Sequence, residues 1–300
     1  MIQVNNLIKE FDGFRALDGV NMHVNKGAIY GLVGPNGAGK STIIRHLTGV
    51  YRQNAGEVFV DGKEVYENRL VKERIAYIPD ELFYFLQADT MEMMRYYEGL
   101  YPNFDRERFF VLKEYFPTIN LKRNIRRLSK GMQKQVAFWL AICCKPDVLI
   151  LDEPVDGLDP VMRRQIWSIL MAEVAEREMT VVVSSHNLRE LEDVCDHVGI
   201  MNKGKIIIER SLSDLQGNVS KIQVACEGAL PEFPEEFKVL HSSNIGRVHT
   251  LIVRGNPDKA VELIKEKEEH AIIDVIPLSL EEIFIYEMGG VDYEVKDILF

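Results

Sequence analysis

The sequence predicts an α/β fold in which helices cover both faces of a central, mostly parallel sheet. Short apolar runs rich in β-branched residues alternate with helix-length amphipathic stretches, which is the pattern of repeated strand–helix–strand units. The runs 148–151 and 181–183 contain no alternating polar positions, as expected for strands buried on both faces. The elements predicted in this way are the strands 29–33, 148–151 and 180–185 and the helices 40–49 and 161–176.

Two segments depart from this pattern. Near the amino terminus, strands predicted at 2–4, 20–24 and 57–60 are separated by turn-like dipeptides such as Asp12-Gly13. They predict a small antiparallel β-subdomain beside the parallel sheet. From about residue 86 the strand pattern gives way to helical patterns until Pro146, which cannot continue a helix. We therefore predict an inserted helical subdomain at about 86–146.

The composition changes again near residue 217. We predict a main domain of residues 1–217 and a small C-terminal accessory α/β domain of residues 218–300. The second contains strand-like runs at 221–226 and 249–255 and a helix from about Pro257. Residues 257–300 hold twelve Asp or Glu against four Lys, which we interpret as a solvated helical face.

Composition and charge exclude several classes of protein. The 300 residues are 46% hydrophobic and 27% charged, unlike a disordered chain or a coiled-coil rod. The 36 Lys and Arg against 46 Asp and Glu give a net charge of −10, which argues against a surface devoted to nucleic acid. No stretch approaches the roughly 20 apolar residues of a spanning helix, and no signal-like segment begins the chain, so we expect a cytoplasmic protein. The four cysteines form no C-x-x-C pair and predict reduced, buried thiols.

The first functional motif is the run GPNGAGKST, which follows an apolar strand and precedes a helix-like segment. It matches G-x-x-x-x-G-K-[ST] in the context that a phosphate-binding loop requires, and it specifies the fold class as a P-loop NTPase. Glycines let backbone N–H groups surround phosphates, and the helix start adds a partial positive charge. Lys40 is expected to reach the outer phosphates and the Ser41 hydroxyl to bind Mg²⁺. The predicted nucleotide-binding residues of the loop are Gly34, Pro35, Asn36, Gly37, Ala38, Gly39, Lys40, Ser41 and Thr42.

Two carboxylates end the apolar run VLILDEP at 148–154. A buried strand has a reason to end in two acids only where a cation is held or acid–base chemistry is done. Asp152 is predicted to hold Mg²⁺, directly or through water. Glu153 is predicted to orient or deprotonate the attacking water in phosphoryl transfer. A simple cap on the next helix is the alternative.

Two further residues occupy positions where a phosphate could be bound. Ser129 precedes a helix-like stretch with one apolar face, so we predict that it is the N-cap, where hydroxyl, N–H groups and helix dipole act together. An ordinary capping serine is the alternative, and it leaves Gly131 unexplained. His186 follows a buried strand, at the edge of the sheet where ligands gather, and could hydrogen-bond the outer phosphate or the attacking water.

With these motifs, residues 1–216 resemble the ATP-binding subunit of an ABC transporter. LSKGMQ at 128–133 is close to the family's LSGGQ, and GLD at 157–159 matches the loop after the strand carboxylates. His186 matches the switch histidine of the family. Phe11 matches the aromatic residue that stacks on adenine, with packing near Phe14 as the alternative.

The resemblance implies ATP hydrolysis, with ATP and Mg²⁺ as cofactors and with Glu153 and His186 as catalytic residues. In this family the phosphate loop and LSKGMQ lie on opposite faces, so two copies must face each other head to tail. Ser129, Gly131 and Asp159 of one copy then contact the ATP held by the other. A homodimer of ATPase subunits is the expected arrangement.

The resemblance also implies a separate membrane-spanning permease subunit, with this chain peripheral on the inner face of the membrane. The segment 81–104 is dense in aromatic residues and methionine and is the expected docking surface. A buried core stripe is the alternative. Replacing Phe83 and Phe85 should weaken assembly in the first case and unfold the protein in the second.

Two positions depart from the family pattern. Asp80 replaces the glutamine expected after the YIP run. A carboxylate can still offer oxygen to Mg²⁺, but it is shorter and charged, so Asp80 is a metal-ligand candidate whose role stays open. Lys130 replaces a glycine of LSGGQ, which is compatible with activity because the serine and the next glycine remain.

Two function classes follow from the sequence. The run SLEEIF at 279–284 resembles the ending of ATPases that serve drug, antibiotic-peptide or lantibiotic export, which favours an exporter. The alternative is a soluble ABC ATPase that acts on nucleic acid or the ribosome. Such proteins usually carry two fused cores, long coiled-coil arms or a basic patch, none of which the sequence shows, so no direct contact with nucleic acid is expected. Residues 218–300 are expected either to stabilise the assembly or to sense a ligand.

Overall fold

Strands and helices alternate at 29–47 and 148–185, as the apolar pattern predicts. The computed structural model describes residues 1–217, 219–226, 233–234, 237–268, 270–276, 278–279 and 281–282. The strands are β1 (Ile2–Phe11), β2 (Phe14–Val24), β3 (Ile29–Val33), β4 (Ala55–Val60), β5 (Lys63–Glu64), β6 (Ile75–Ile78), β7 (Val148–Asp152), β8 (Thr180–Ser185), β9 (His197–Asn202) and β10 (Lys205–Ser211). The helices are α1 (Lys40–Leu47), α2 (Arg69–Lys72), α3 (Thr90–Leu100), α4 (Arg106–Leu112), α5 (Lys130–Cys143) and α6 (Pro160–Arg177).

Contacts within the chain separate two units, Met1–Glu209 and Arg210–Phe300. The domain limits inferred from sequence, 1–217 and 218–300, stay a prediction, and residue 218 lies outside the described residues. Among the described helices, none is both long and apolar enough to cross a membrane.

A six-stranded sheet in the order β10-β9-β3-β8-β7-β6 organises the first unit. The pairs β3–β8, β3–β9, β7–β8 and β6–β7 are parallel, which confirms the predicted mostly parallel sheet. Every residue of β3, β7 and β8 is buried, as the uniformly apolar sequence requires. Because these strands run in the same direction, the loops after β3, β6, β7 and β8 share one edge, where ligands bind in such sheets.

The predicted antiparallel β-subdomain is a four-stranded sheet in the order β2-β1-β4-β5. β1 and β2 extend well beyond the predicted 2–4 and 20–24, because their outer parts form a hairpin. Asp12 and Gly13 connect them with φ values of 47° and 83°, the left-handed pair of a two-residue type I′ turn. Phe11 and Phe14 are paired in register at the tip of this hairpin.

Residues 86–146, all of them described, contain no strand, which confirms the helical subdomain. α3 begins at a capping box, in which Glu92 N–H donates to Asp89 Oδ1 at 2.8 Å and Asp89 N–H donates to Glu92 Oε2 at 3.0 Å. Trp139 of α5 stacks on Phe109 of α4 with ring centroids 4.4 Å apart. Its indole N–H donates to the Phe109 carbonyl oxygen at 2.9 Å, so the buried ring has its polar atom satisfied.

All four cysteines are free and buried, as predicted. Burial raises the pKa of the Cys143 thiol to about 12. Because the thiolate is the reactive form, a thiol with so high a pKa stays protonated and inert at neutral pH. These side chains therefore act as small apolar groups in the core.

The second unit is a small α/β appendage, as predicted. Its elements are α7 (Leu212–Gly217), β11 (Val219–Ala225), β12 (Lys238–Ile245), β13 (Val248–Arg254), α8 (Pro257–Lys267) and β14 (Ile272–Ile276). The strands form an antiparallel sheet in the order β12-β13-β11-β14. Ala260 and Ile264 of α8 join its buried core, whereas Asp258, Glu262 and Glu266 are exposed, as expected of a solvated acidic face.

A buried carboxylate ties the helical subdomain to α6. Glu173 on α6 is completely buried. Its Oε2 lies 2.6 Å from Arg177 Nε, one turn later, and its Oε1 contacts Arg108 of α4. A carboxylate removed from water in this way depends on its cations, and the partly buried guanidinium groups depend equally on it.

Replacing Glu173 by Gln should therefore lower the free energy of unfolding by about 3 kcal/mol, because both guanidinium groups lose their counter-charge. Urea unfolding followed by circular dichroism measures the change. Glu176→Gln, at an exposed position of the same helix, is the matched control and should change stability by less than about 0.5 kcal/mol. Equal effects of the two variants would contradict the structural role of Glu173.

Candidate active site

The glycine-rich loop 34–39 joins β3 to α1 at the carboxyl edge of the parallel sheet. Gly39 has a φ of 108°, in the left-handed region that favours glycine. A Cβ added there would lie 2.8 Å from the Met201 methyl carbon and 3.0 Å from the Ala16 carbonyl oxygen. In the described structure, α1 begins with no side-chain cap and no acidic residue in its first turn. Its first N–H groups are therefore available to an anion.

Lys40 places a desolvated cation at the centre of this loop. Its side chain is only 6% exposed, and Nζ donates to the Gly34 carbonyl oxygen at 2.6 Å. The same Nζ lies 3.4 Å from Glu153 Oε1. The structure thus brings together the lysine of the loop and the glutamate at the end of β7, as their predicted roles on one phosphoryl group require.

Asp152 and Glu153 are both held by Ser184 of the neighbouring strand. Ser184 Oγ donates to the buried Asp152 Oδ1 at 2.5 Å, and it accepts from Glu153 N–H at 3.2 Å. Asp152 and Ser184 are paired in the register of β7 and β8. Ser184 carries none of the roles predicted from sequence. The sequence feature that could have indicated Ser184 is its hydroxyl at the carboxyl end of the apolar run 181–183.

The Glu153 carboxylate lies between Lys40 and His186. Its side chain is 13% exposed, and Oε2 lies 2.9 Å from His186 Nδ1. The backbone N–H of His186 also donates to this oxygen, at 3.4 Å. This carboxylate can accept a proton while Lys40 and His186 keep it in place. The structure therefore brings both predicted catalytic residues into direct contact.

A cavity of about 390 Å³ extends from the loop towards the β1–β2 hairpin. Its walls include Phe11, Phe14, Asp80 and Glu153. The Phe11 ring contacts Tyr51 edge to face, with centroids 5.5 Å apart, and retains 38% exposure. An exposed aromatic face beside a phosphate loop suits an adenine base, and stacking by Phe11 stays a prediction.

Asp80 lines this cavity, but its carboxylate contacts Lys134, which does not line the cavity. It is 53% exposed, and its Oδ1 lies 3.4 Å from Lys134 Nζ. Burial raises the pKa of the nearby Tyr77 to about 12, and the charges of Asp152 and Asp80 add to this shift. The phenol therefore stays neutral at the working pH. A metal-ligand role for Asp80 stays a prediction.

The residues predicted to contact ATP across a dimer line a different cavity. Ser129, Gly131 and Asp159 all border a space of about 580 Å³, which shares no described lining residue with the Lys40 cavity. Ser129 Oγ accepts from Met132 N–H at 3.2 Å, which confirms that it caps α5. Asp159 Oδ1 accepts from the N–H groups of Val161 and Met162 at 3.0 Å and caps α6.

Gly131 is closely packed, in addition to its predicted contact with ATP. A Cβ at this position would lie 3.3 Å from Leu158 Cδ2 and 3.4 Å from the Gly157 carbonyl oxygen. The loop that carries Asp159 therefore approaches the start of α5 closely. A larger residue at this position would need Leu158 to shift by a few tenths of an ångström.

The groups present fit a triphosphate with a divalent cation. The uncapped start of α1 and the Lys40 ammonium group suit phosphate oxygens. The Ser41 hydroxyl and the buried Asp152 carboxylate are hard oxygen donors of the kind that Mg²⁺ prefers.

Comparison with known proteins identifies the family. Residues 17–156 match the family model described as ABC transporter. ABC transporter ATP-binding protein YtrB of Bacillus subtilis is 28% identical over 290 residues, which cover 97% of this chain and 99% of that protein. Linearmycin resistance ATP-binding protein LnrL of Bacillus subtilis is 30% identical over 307 residues, covering 96% of this chain and 98% of that protein. The chain belongs to the ABC transporter ATP-binding proteins.

Further similarities of this ABC ATPase cover about 70% of the chain. Lantibiotic transport ATP-binding protein SrtF of Streptococcus pyogenes is 34% identical over 212 residues, which cover 70% of this chain and 90% of SrtF. A solved ATP-binding subunit of an ABC transporter superposes with a TM-score of 0.66 at 25% identity, over 72% of this chain and 92% of that chain. CbiO1 of Clostridium perfringens, part of the transporter complex cbiONQ, has a TM-score of 0.60 at 27% identity, over 71% of this chain and 89% of that one.

These findings confirm the predicted P-loop NTPase fold and the ATPase activity. ABC ATPases bind ATP with Mg²⁺, so the ABC ATPase described here uses both. The roles of its individual residues remain predictions of the geometry.

Ser184→Ala should raise the Mg²⁺ concentration for half-maximal ATP hydrolysis by about tenfold or more, because Asp152 loses the hydroxyl that orients it. Steady-state ATPase assays at fixed ATP and varied Mg²⁺ measure this. Thr180→Val is the matched control, since it removes a buried hydroxyl at the other end of β8, where Thr180 Oγ1 accepts from Gly27 N–H. An unchanged Mg²⁺ requirement in Ser184→Ala would show that Asp152 does not depend on this contact.

Proposed function

We propose that this ABC ATPase energises a separate membrane-spanning permease subunit through ATP-driven homodimerisation, as part of an exporter at the inner face of the membrane. The observation that carries the proposal is the division of the predicted site between two cavities. Lys40 and Glu153 border one cavity, with His186 in contact with Glu153, and Ser129 and Asp159 border the other. A head-to-tail pair of chains joins one cavity of each kind at each of two sites.

Within one such site, different residues of the chain bind the phosphates, bind the cation and accept the proton. The loop N–H groups and Lys40 would hold phosphate oxygens. Asp152, oriented by the hydroxyl of Ser184, would hold the cation. Bound Mg²⁺–ATP supplies the phosphoryl group and the divalent charge. The Glu153 carboxylate accepts a proton from the attacking water, and His186 keeps that carboxylate oriented at 2.9 Å. The Ser129 hydroxyl of the second chain donates towards the terminal phosphate.

Export is the direction that the relatives support. LnrL is named for linearmycin resistance and SrtF for lantibiotic transport, and both resemble this chain over most of their length. We extend this class of cargo, antibiotics and lantibiotics moved out of the cell, to the present protein. The run at 279–284 that favours the same class lies partly outside the described residues, which omit 280, 283 and 284.

Glu153→Gln should bind ATP normally, hydrolyse it about 10² to 10⁴ times more slowly, and accumulate as an ATP-bound dimer. Light scattering after size-exclusion chromatography, with and without ATP, measures the dimer. Adding Ser129→Asp to this variant should abolish the dimer, since aspartate preserves the helix cap but places a negative charge against phosphate. A Glu153→Gln variant with wild-type turnover, or one that stays monomeric with ATP and the permease, would contradict the proposal.

An exposed aromatic patch supports docking to the permease. Phe83 is 79% and Phe85 45% exposed, and the two rings meet edge to face with centroids 5.9 Å apart. Phe85 also contacts Tyr96 of α3, with centroids 5.0 Å apart. The core alternative is thus wrong for Phe83 and Phe85, although it holds for the buried Tyr84. A preformed, exposed aromatic cluster is typical of a protein-binding surface.

A basic loop borders this patch. Asn124 Nδ2 donates to the Leu86 carbonyl oxygen at 2.9 Å, and Ile125 N–H donates to that of Ala88 at 3.0 Å, so the loop lies directly beside the aromatic segment. Four of its cations are exposed and form no ion pair with another described residue: Lys122, Arg123, Arg126 and Arg127. This loop is a local basic cluster that was not expected from the sequence. Because it borders apolar rings, the surface suits an amphipathic protein segment better than nucleic acid.

Replacing Phe83 and Phe85 together by Ser should reduce recovery with the membrane protein encoded beside this chain by at least about tenfold, because the aromatic contacts supply most of the affinity. Affinity purification from detergent-solubilised membranes measures the recovery, and ATP binding and melting temperature should stay unchanged. Leu70→Ser with Val111→Ser, at exposed positions outside the patch, is the matched control. Loss of folding, or nucleic acid in place of the membrane protein in the purified wild type, would contradict docking.

A further inference from the structure

A lysine from the serine-capped helix reaches the glutamate at the end of β7. Lys134 lies in the second turn of α5, and its side chain is only 12% exposed. Its Nζ donates to the main-chain carbonyl oxygen of Glu153 at 2.7 Å. The same ammonium group lies 3.4 Å from Asp80 Oδ1, in the loop after β6. Lys134 carries none of the roles predicted from sequence.

Glu153 depends on such contacts because its backbone lies in an unfavourable region. Its φ of 48° is left-handed, which costs a residue with a side chain about 1 to 2 kcal/mol. Ser184 holds the N–H group of Glu153, and Lys134 holds its carbonyl oxygen. The residue is thus fixed on both sides, by a neighbouring strand and by a helix of the inserted subdomain. Strain of this kind persists only where the surroundings over-determine the conformation.

The direction of the Glu153 side chain follows from this backbone. Its carboxylate oxygens lie 3.4 Å from Lys40 Nζ and 2.9 Å from His186 Nδ1. A rotation about the N–Cα bond of Glu153 that released the left-handed φ would move its carbonyl group away from Lys134 and its Cβ with it. The carboxylate would then leave its position between Lys40 and His186. Small displacements of a reacting group are enough to cost large factors in rate.

We infer that Lys134 is a positioning residue for Glu153, acting by holding its main-chain carbonyl oxygen so that the carboxylate faces the attacking water. The inference rests on the proposed role of Glu153. Asp80 is the second acceptor for the same ammonium group, at 3.4 Å from Nζ to Oδ1. The aspartate in place of the family's glutamine thereby has a partner of opposite charge.

A lysine that merely tethered α5 to the sheet would act differently. Its removal would lower stability and ATP affinity together, with no selective loss in turnover. Steady-state ATPase assays over a range of ATP concentrations, combined with thermal unfolding, separate the two roles. The variants are Lys134→Met, Lys134→Arg and Lys145→Met. Lys145→Met is the matched control, because it removes a lysine–aspartate pair, 2.6 Å from Nζ to Asp105 Oδ2, just beyond the other end of α5.

Lys134→Met should lower kcat by about tenfold or more, with KM for ATP and melting temperature unchanged. Lys134→Arg should restore at least half of the wild-type kcat, since a charged donor remains, and Lys145→Met should match the wild type. If Lys134→Met fails to fold, Lys134→Leu provides the same comparison, because leucine also lacks a donor. Wild-type kcat in a folded Lys134→Met or Lys134→Leu variant would overturn the inference.

A second measurement separates this inference from the proposed function. In the Glu153→Gln background, Lys134→Met should cause no further loss of kcat, because the carboxylate that Lys134 positions is already absent. The same tenfold loss in that background would assign Lys134 to another role. Wild-type turnover in Glu153→Gln alone would instead overturn the proposed role of Glu153 itself.

Discussion

The site is built on the mutual compensation of charges buried at one edge of a parallel sheet. Lys40 and Asp152 are 6% and 4% exposed, and Glu153 is 13% exposed. A single buried charge would be too costly to keep ionised. Here the ammonium group faces a carboxylate, and the second carboxylate is held by the hydroxyl of Ser184. The parallel register fixes this arrangement, because it places the ends of β3, β7 and β8 side by side.

The sequence is most informative where burial decides the structure. The strands predicted at 29–33 and 180–185 are found with those limits, since every residue in them is apolar or buried. The outer halves of β1 and β2 are not predictable in this way, because most of their residues are half-buried or exposed and their cross-strand hydrogen bonds leave little alternating apolar signal. Within the segment 81–104, the alternation of exposed Phe83 with buried Tyr84 depends on the path of the chain rather than on residue type.

The motifs of the site were predictable as types, but not the contacts that hold them. Ser184 and Lys134 lie 32 residues after Asp152 and 19 residues before Glu153 in the chain. Their contacts arise from strand register and from the packing of α5, neither of which a local pattern encodes. The physical explanation for Asp80 in place of the family's glutamine lies in Lys134, whose Nζ is 3.4 Å from Asp80 Oδ1. At such a position the residue type departs from the family motif and depends instead on its neighbours in the folded chain.

The helix caps limit what each residue of the second cavity can offer a nucleotide. Ser129 Oγ accepts one N–H of α5, which leaves its hydroxyl hydrogen free to donate to a phosphate oxygen. Asp159 is different, because an ionised carboxylate has no proton to donate and already accepts two N–H groups of α6. If the Asp159 carboxylate faced a phosphate directly, the two negative charges would repel each other. In the proposed head-to-tail dimer, Asp159 would therefore suit a hydrogen-bond donor or cation of the opposite chain better than the ATP contact predicted for it from sequence, whereas Ser129 keeps its predicted contact with the nucleotide.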